Sequence, residues 1–326
     1  MFETIKNLTA AFGVSGNEEE IRETIISMIK DKVDEIKVDA MGNLFAIKKG
    51  TGRKILLAAH MDEIGVIVTH IDENGFLRFS NMGAVSPFVS FGQRVKFKNG
   101  VVGIISKEQK FEEIKSLKLS NLFIDIGAHS REEAEKQVRI GDVANFVGET
   151  FQQGDMVVSK ALDDRAACAV LIETIKNMPN TDNEIYFVFT VQEELGLRGA
   201  KTAAYQVEAD MAIAVDVTGT GDTPESRLME VSVGKGPAIK IKDNSIMCHK
   251  EVIELIKSKA EENNIPYQFE ILEYGGTDVG AIHISGGGIP SGAISIPTRY
   301  IHSPSEYASL SDIENCAKLL TYCIIK

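Results

Sequence analysis

Three strongly apolar segments constrain the fold of this chain more than any other sequence feature. They are KILLAA at 54–59, EIYFVFTVQ at 184–192 and MAIAVDV at 211–217. A strand that is apolar throughout, as KILLAA is, must be covered on both faces, which is typical of sheets packed between helices. Helical patterns follow or separate these segments over 164–177 and near 198–205, 248–263 and 312–324. The alternation predicts an α/β fold around a buried sheet.

The chain between residues 70 and 158 has a different pattern. Short β-rich segments there, such as FLRFS, QRVKFKNG, VVGIIS and LFIDIGA, alternate with turns rich in Gly, Asn and Asp. This pattern predicts a small β-barrel or sandwich, inserted into the α/β domain. We therefore predict a discontinuous α/β domain of residues 1–69 and 159–326, with residues 70–158 as a separate β-rich domain.

The first residues predict two helices. Residues 3–12 form a helical pattern that Gly13 ends, and a second helix is expected to begin near Ser15. Glu18 follows Ser15 by three residues, which is the spacing of a capping box. We also expect strands at 35–39 and 43–48.

Composition and charge exclude several classes of protein. Lys and Arg total 35 against 47 Asp and Glu, and the resulting net charge of -12 disfavours binding to a nucleic acid backbone. No run of about 18 apolar residues occurs, so no membrane-spanning helix is expected, and the N-terminus lacks a secretory signal pattern. The 4 cysteines have no C-x-x-C spacing, which favours a reducing cytoplasm.

Histidines and carboxylates occur where the apolar strands end. They are His60-Met61-Asp62, Asp163-Asp164, Glu193-Glu194, Asp216 and His302. Open α/β sheets build their sites at the carboxyl ends of their strands, so these side chains are expected to converge. Buried carboxylates are costly unless they are paired or bind a metal, and several at one edge call for a compensating charge. The set therefore predicts a divalent metal cluster.

The spacing within these segments indicates different roles. Residues two apart in a strand project to the same side, so Asp62 is expected to reach the His60 imidazole and fix its tautomer. His60 then binds metal. The Glu193-Glu194 doublet offers one carboxylate for a metal and another that accepts a proton from water, a division typical of a hydrolase.

Counting charges favours two ions. Asp163, Glu194 and Asp216 carry three negative charges, whereas two divalent cations carry four positive ones, leaving one that a hydroxide ion neutralises. Mixed His and carboxylate ligands without Cys favour Zn or Co over an all-oxygen Ca site.

With these residues assembled, the chain resembles the dinuclear metallo-aminopeptidases of the glutamyl and deblocking aminopeptidase family, whose archaeal members form tetrahedral particles. The similarity runs from end to end through AFGVSGNEEEIRE, DAMGNLFAIKKG, AAHMDEIG, DIGAHSREEA, ALDDRAACAV, QEELGLRGA, VDVT, YGGTDVGAIH and YIHSPSEY. It implies a three-layer α/β/α zinc-peptidase domain with a mixed central sheet, an inserted domain that contributes to oligomer contacts, and removal of N-terminal residues from short peptides. Relatives occur as dimers and as twelve-subunit assemblies.

The resemblance also implies roles for single residues. His60, Asp163 and Asp216 would hold one metal ion, while Asp163, Glu194 and His302 would hold the other, so that Asp163 bridges. Glu193 would act as general base, and a cis peptide bond would join Asp163 to Asp164.

Other interpretations and one further motif stay open. Gly276 and Thr277, in the YGGTDVGAIH segment, could shape a substrate pocket, although a plain turn explains them equally well. Some relatives carry endoglucanase labels, so a metal-dependent glycoside hydrolase is one alternative. The absence of Trp argues against it, because polysaccharide clefts rely on large aromatic faces. A catalytically silent assembly protein is the other.

Overall fold

The computed structural model of the chain describes residues 1–109 and 116–325. Its helices are α1 Phe2–Ala10, α2 Glu19–Ile29, α3 Pro87–Ser90, α4 Arg131–Glu135, α5 Leu162–Asn177, α6 Arg198–Val207, α7 Lys250–Glu262, α8 Val279–Ile282 and α9 Leu310–Cys323, with a short 3-10 helix at Leu119–Asn121. None of the described helices is long and apolar enough to cross a membrane.

A large mixed sheet forms the centre of the molecule. Its strands are β1 Glu35–Val38, β2 Leu44–Lys48, β3 Lys54–His60, β10 Phe151–Gln153, β11 Met156–Ser159, β12 Glu184–Thr190, β13 Met211–Thr218, β14 Ala238–Lys242, β15 Gln268–Ile271, β16 Ser291–Arg299 and β17 Glu306–Ser309. The main order is β1-β2-β12-β3-β13-β16-β17-β11-β10, and β14 pairs with both β15 and β16. The apolar segments of the sequence are the central strands β12, β3 and β13, as predicted.

Helices cover both faces of this sheet. One face packs against the apolar sides of α1, α2, α5, α7 and α9. The other packs against α6 and α8, whose small side chains, such as Ala200 and Ala204, allow close contact. The predicted three-layer α/β/α arrangement is confirmed, and its physical cause is that strands apolar on both sides need a helix on each.

The β-rich segment closes into a barrel. Its strands are β4 Gly65–Ile71, β5 Leu77–Met82, β6 Arg94–Phe97, β7 Val102–Lys107, β8 Leu122–Asp125 and β9 Val143–Phe146. They are arranged in the closed order β4-β5-β8-β7-β6-β9, and each strand is antiparallel to both of its neighbours. A closed barrel leaves no free sheet edge, and its interior is filled by apolar side chains, such as Val66, Leu77 and Ile124.

The barrel strands differ at both ends from the predicted range of 70–158. The first strand begins at Gly65, and the last ends at Phe146. The next two strands, β10 and β11, belong to the large sheet, because β11 pairs with β17. The division into a catalytic domain and an inserted oligomerisation domain stays a prediction.

A buried charged network joins the barrel to the large sheet. Glu63, just before the first barrel strand, accepts a hydrogen bond from Lys160 Nζ at 2.6 Å and one from Asn145 at 3.1 Å. Arg165 Nη2 lies 3.5 Å from the same carboxylate. Arg165 also donates to the carbonyl oxygens of Leu8 and Ala11, which satisfies the end of α1.

The capping-box interpretation of Ser15 and Glu18 is wrong. The second helix begins at Glu19, and no side chain caps its first turn. The Ser15 hydroxyl instead donates to Asp62 Oδ2 at 2.5 Å, and Glu18 Oε1 accepts the N–H of Gly16 at 2.7 Å. Ser15 therefore contacts a distant residue and Glu18 stabilises the preceding loop, and neither caps the helix.

Candidate metal centre

The predicted residues come together at one edge of the large sheet. Strands β12, β3, β13 and β16 are mutually parallel neighbours, so their carboxyl ends lie side by side. His60 ends β3 opposite Thr190 of β12, which places the Glu193-Glu194 doublet just beyond it. Asp163 lies at the start of α5, which packs beneath β3 and β13. The convergence follows from sheet topology, as expected for an open α/β sheet.

Asp163 lies between the two histidines. Its Oδ1 is 3.0 Å from His60 Nε2, and its Oδ2 is 3.0 Å from His302 Nε2. Its side chain is almost fully buried. The peptide bond between Asp163 and Asp164 is cis, as the family resemblance implied.

The two glutamates of the doublet approach different imidazoles. Glu193 Oε2 lies 3.9 Å from His60 Nε2, whereas Glu194 Oε1 lies 3.2 Å from His302 Nε2. Asp216 Oδ1 also lies 3.9 Å from His60 Nε2. The structure thus brings all the predicted metal ligands and the predicted base into one cluster.

Asp62 makes contacts that the sequence did not indicate. Its Oδ1 lies 3.5 Å from His60 Nδ1, but the nearest acceptor of that nitrogen is the Asp62 main-chain oxygen at 3.2 Å. The carboxylate accepts the N–H groups of Glu193 and Glu194 at 2.9 and 3.3 Å. Asp62 therefore fixes the backbone of the glutamate doublet as well as lying beside the imidazole.

Burial shifts the pKa values of several groups in the cluster. Burial raises the pKa of Asp216 to about 7 and that of Glu193 well above its usual range. Burial disfavours the charged form of His302, but its hydrogen bonds to Asp163 and Glu194 outweigh this and raise its pKa to about 11. Several acids buried together are stabilised by nearby positive charge, which divalent metal ions would supply.

The geometry of the donor atoms also fits a metal. The donor atoms of His60, Asp163 and Glu194 all lie within 4.8 Å of one another, and so do those of His60, Asp164 and Asp216. Asp164 Oδ1 is buried and accepts no hydrogen bond from the residues that the structure describes. A buried carboxylate oxygen left in this state is costly, and a nearby cation lowers that cost.

Three residues of the site received no role of their own from the sequence. Asp164 accepts the N–H of His60 at 3.2 Å, and Asp278 accepts the hydroxyl of Thr190 at 2.5 Å. Glu306 accepts two backbone N–H groups of the site. Asp164, Asp278 and Glu306 all lie within the motifs quoted above, but nothing in their spacing indicated these partners.

Gly276 and Thr277 lie at the rim of the cluster. Thr277 is buried beside Asp216, whereas Gly276 is exposed. A Cβ at Gly276 would lie 3.1 Å from the Ser245 side chain, so the backbone approaches that residue closely. Their part in binding a substrate stays a prediction.

Comparison with known families identifies the chain. A family model described as M42 glutamyl aminopeptidase matches residues 42–319. The chain belongs to this family. M42 membership makes it an enzyme, a metal-dependent aminopeptidase that hydrolyses peptide bonds at the N-terminus, as the sequence predicted.

Relatives match the M42 chain over nearly its whole length. A protein of Acetivibrio thermocellus that is described provisionally as an aminopeptidase is 65% identical over 324 residues, covering 99% of this chain and 98% of its own. The lysyl aminopeptidase of Pyrococcus furiosus is 33% identical over 331 residues, covering 98% of this chain and 95% of its own.

Solved structures have the same fold. An aminopeptidase from the archaeon Desulfurococcus kamchatkensis has a TM-score of 0.95 at 39% identity, over 99% of this chain and 94% of its own. The TET1 peptidase of Pyrococcus horikoshii, which can assemble into a tetrahedron or a large octahedral shell, has a TM-score of 0.91 at 37% identity over 99% of both chains. A Thermotoga maritima protein titled an endoglucanase has a TM-score of 0.84 at 36% identity, over 98% of this chain and 96% of its own.

Proposed function

We propose that this M42 aminopeptidase works with two divalent cations, Zn or Co, held by five side chains. His60, Asp163 and Asp216 hold one ion, and Asp163, Glu194 and His302 hold the other. The single observation that carries this proposal is the position of Asp163, whose two oxygens each lie 3.0 Å from a different imidazole. A carboxylate placed in this way suits a bridging ligand, and a mixed His and carboxylate set suits Zn or Co.

The residues around the ions have different roles in the proposed reaction. Bound divalent cations polarise a peptide carbonyl and lower the pKa of water. Glu193, which is not needed as a ligand, accepts the proton of the attacking water and then delivers it to the leaving amine. Asp62 holds Glu193 in place through the Glu193 N–H, 2.9 Å from Asp62 Oδ1.

Cleavage at the chain end follows from the charge of the site. A peptide's free N-terminal ammonium is attracted by the acidic side chains around the ions, whereas an internal peptide bond has no such charge. This charge restricts cleavage to the end of the chain. We propose short peptides as the substrates, with Gly276 and Thr277 at the rim of the substrate pocket. Which N-terminal residue is preferred depends on loops around this pocket.

A substrate panel with metal control tests the proposal. The metal-free full-length protein, reconstituted with Co²⁺ or Zn²⁺, is assayed on aminoacyl chromogenic substrates and on cellulose, with and without chelator. We expect hydrolysis of the aminoacyl substrates that chelator abolishes and added Co²⁺ or Zn²⁺ restores. Chelator-sensitive cellulose hydrolysis would favour the glycosidase alternative. No hydrolysis of either and no bound ion would favour a catalytically silent assembly protein.

We also propose that the protein is a cytoplasmic homo-oligomer, between a dimer and a dodecamer. Support for the assembly comes from the TET1 relative and from exposed apolar side chains on the barrel, among them Phe88 and Phe91. Support for the cytoplasm comes from the cysteines, since Cys168, Cys248, Cys316 and Cys323 are all free thiols.

A further inference from the structure

One buried carboxylate contacts the backbone of two proposed metal ligands at once. Glu306 lies in β17 with only 2% of its surface exposed. Its Oε2 accepts the N–H of Asp163 at 3.0 Å, and its Oε1 accepts the N–H of His302 at 2.8 Å. Both oxygens are therefore used, and each holds a different segment of the chain.

The two segments are far apart in the sequence. Asp163 is 143 residues from Glu306, at the start of α5. His302 lies in a turn before β17 and has a left-handed backbone, with φ of 63°. A non-glycine residue in this region is strained and persists only where its surroundings hold it. The bond from its N–H to Glu306 supplies such support.

We propose that Glu306 is a positioning residue that holds Asp163 and His302 ready to bind the metal ions. With Glu306 in place, His302 Nε2 lies 3.0 Å from Asp163 Oδ2 and 3.2 Å from Glu194 Oε1. These three side chains are the proposed ligands of the second ion, so the inference rests on the proposed function.

A carboxylate is required because both partners are donors. The side chain of Gln has one acceptor oxygen and one NH2 group, so in a Glu306→Gln variant the NH2 must face one of the two N–H groups. That backbone N–H loses its hydrogen bond and is repelled by the NH2 group. The change keeps the size of the side chain, so it tests the hydrogen bonds rather than the packing.

The chain offers a matched control at Asp312. This buried carboxylate also accepts one backbone N–H on each oxygen, from Gly234 at 2.6 Å and from Gly236 at 2.7 Å. Neither glycine belongs to the candidate metal centre. Asp312→Asn therefore makes the same chemical change in an equally buried place, without touching a proposed ligand.

The experiment titrates each metal-free, full-length protein with Co²⁺, followed by calorimetry and by the visible absorption of bound Co²⁺. We expect Glu306→Gln to weaken Co²⁺ binding about 10- to 100-fold, as loss of an outer support for a ligand does, and to change the absorption spectrum. Asp312→Asn should bind Co²⁺ with unchanged affinity, although both variants lose stability in urea. Equal Co²⁺ affinity and spectra in the two variants would overturn the inference, leaving Glu306 a purely structural residue.

A measurement on the unaltered protein covers the case in which Glu306→Gln does not fold. Hydrogen exchange resolved to single amides should find the N–H groups of Asp163 and His302 protected before any Co²⁺ is added. Exchange that is fast in the metal-free protein and slow only after Co²⁺ addition would contradict the inference that Glu306 positions these residues before the metal binds. Wild-type protein that binds no Co²⁺ would instead refute the proposed function, and the inference with it.

Discussion

At the scale of single residues, the glutamate doublet is held by its backbone. The N–H groups of three successive residues are accepted by two buried carboxylates, with Gln192 bonded to Glu18 and the next two residues bonded to Asp62. Gln192 has a left-handed backbone, with φ of 53°, which turns these groups toward the acceptors. Because Ser15 donates a hydrogen bond to Asp62 in turn, residues near the N-terminus help to fix the backbone of Glu193 and Glu194.

The role of Glu193 gives a prediction at this scale. Glu193→Gln removes the proposed proton acceptor but keeps the shape of the side chain, so turnover of an aminoacyl substrate should fall about 10²- to 10⁴-fold. Bound metal, measured by atomic emission, should remain at the wild-type level because Glu193 is not a proposed ligand. Glu254→Gln, at an exposed position on α7, serves as control. Unchanged turnover with metal retained would rule out Glu193 as the base.

At the scale of elements, the sequence predicted the strands better than their partners. The short strands β10 and β11 have the same local pattern as barrel strands, yet they extend the large sheet. The loop between β13 and β14 also depends on a distant element, because Asp222 pairs with Arg299 of β16 through two bonds of 2.9 and 2.7 Å. Alternating patterns reveal that a strand exists, but they do not encode which strand lies beside it.

The pair of Asp222 and Arg299 gives a prediction at this scale. The Arg299 guanidinium holds the pKa of Asp222 well below its usual range. Because the pKa of Asp222 is lower in the folded protein than in the unfolded chain, the ion pair stabilises the fold fully above the unfolded-state pKa of about 4. This stabilisation is lost as the pH falls through the folded-state pKa. Asp222→Asn should therefore lower the free energy of unfolding by about 1–2 kcal/mol at pH 7.

Urea denaturation followed by circular dichroism measures this difference, because the chain contains no Trp and therefore gives no tryptophan fluorescence. The gap between wild type and Asp222→Asn should stay constant from neutral pH to about pH 5 and narrow below about pH 4. Asp31→Asn, at an exposed position after α2, should change stability by less than about 0.5 kcal/mol. A stability difference that grows as the pH falls would contradict the predicted direction of the pH dependence.

At the scale of the whole molecule, the barrel both reaches the metal centre and carries exposed apolar surface. A Cβ at Gly83, beside the barrel strand β5, would lie 2.9 Å from Glu194 Oε2, so the barrel approaches a proposed ligand. Among its described residues, the large apolar side chains exposed on the outside are Phe88, Phe91, Val102, Ile104 and Ile140. Exposed apolar side chains in such number favour an interface between protein chains.

The exposed phenylalanines give a prediction at this scale. Wild-type protein should have a mass in light scattering that is a multiple of 35.6 kDa. Because Phe88 and Phe91 are 53% and 44% exposed, replacing both with Ser should shift the mass toward smaller species without loss of fold. Tyr205→Ser, at an exposed position on α6, should leave the mass unchanged. A monomeric wild type would refute the proposed assembly.

The sequence by itself determined the layers of this protein and the edge where its acids and histidines meet. Apolar strands with polar residues at their ends are local patterns, and parallel strands must place those ends together. Only the tertiary structure decided which groups hold the site in place. Glu18 accepts a hydrogen bond from Gln192, which is 174 residues away in the sequence. Glu306 accepts one from Asp163, which is 143 residues away. A carboxylate's neighbours in sequence carry no information about such distant donors, because the fold alone brings the two backbones together.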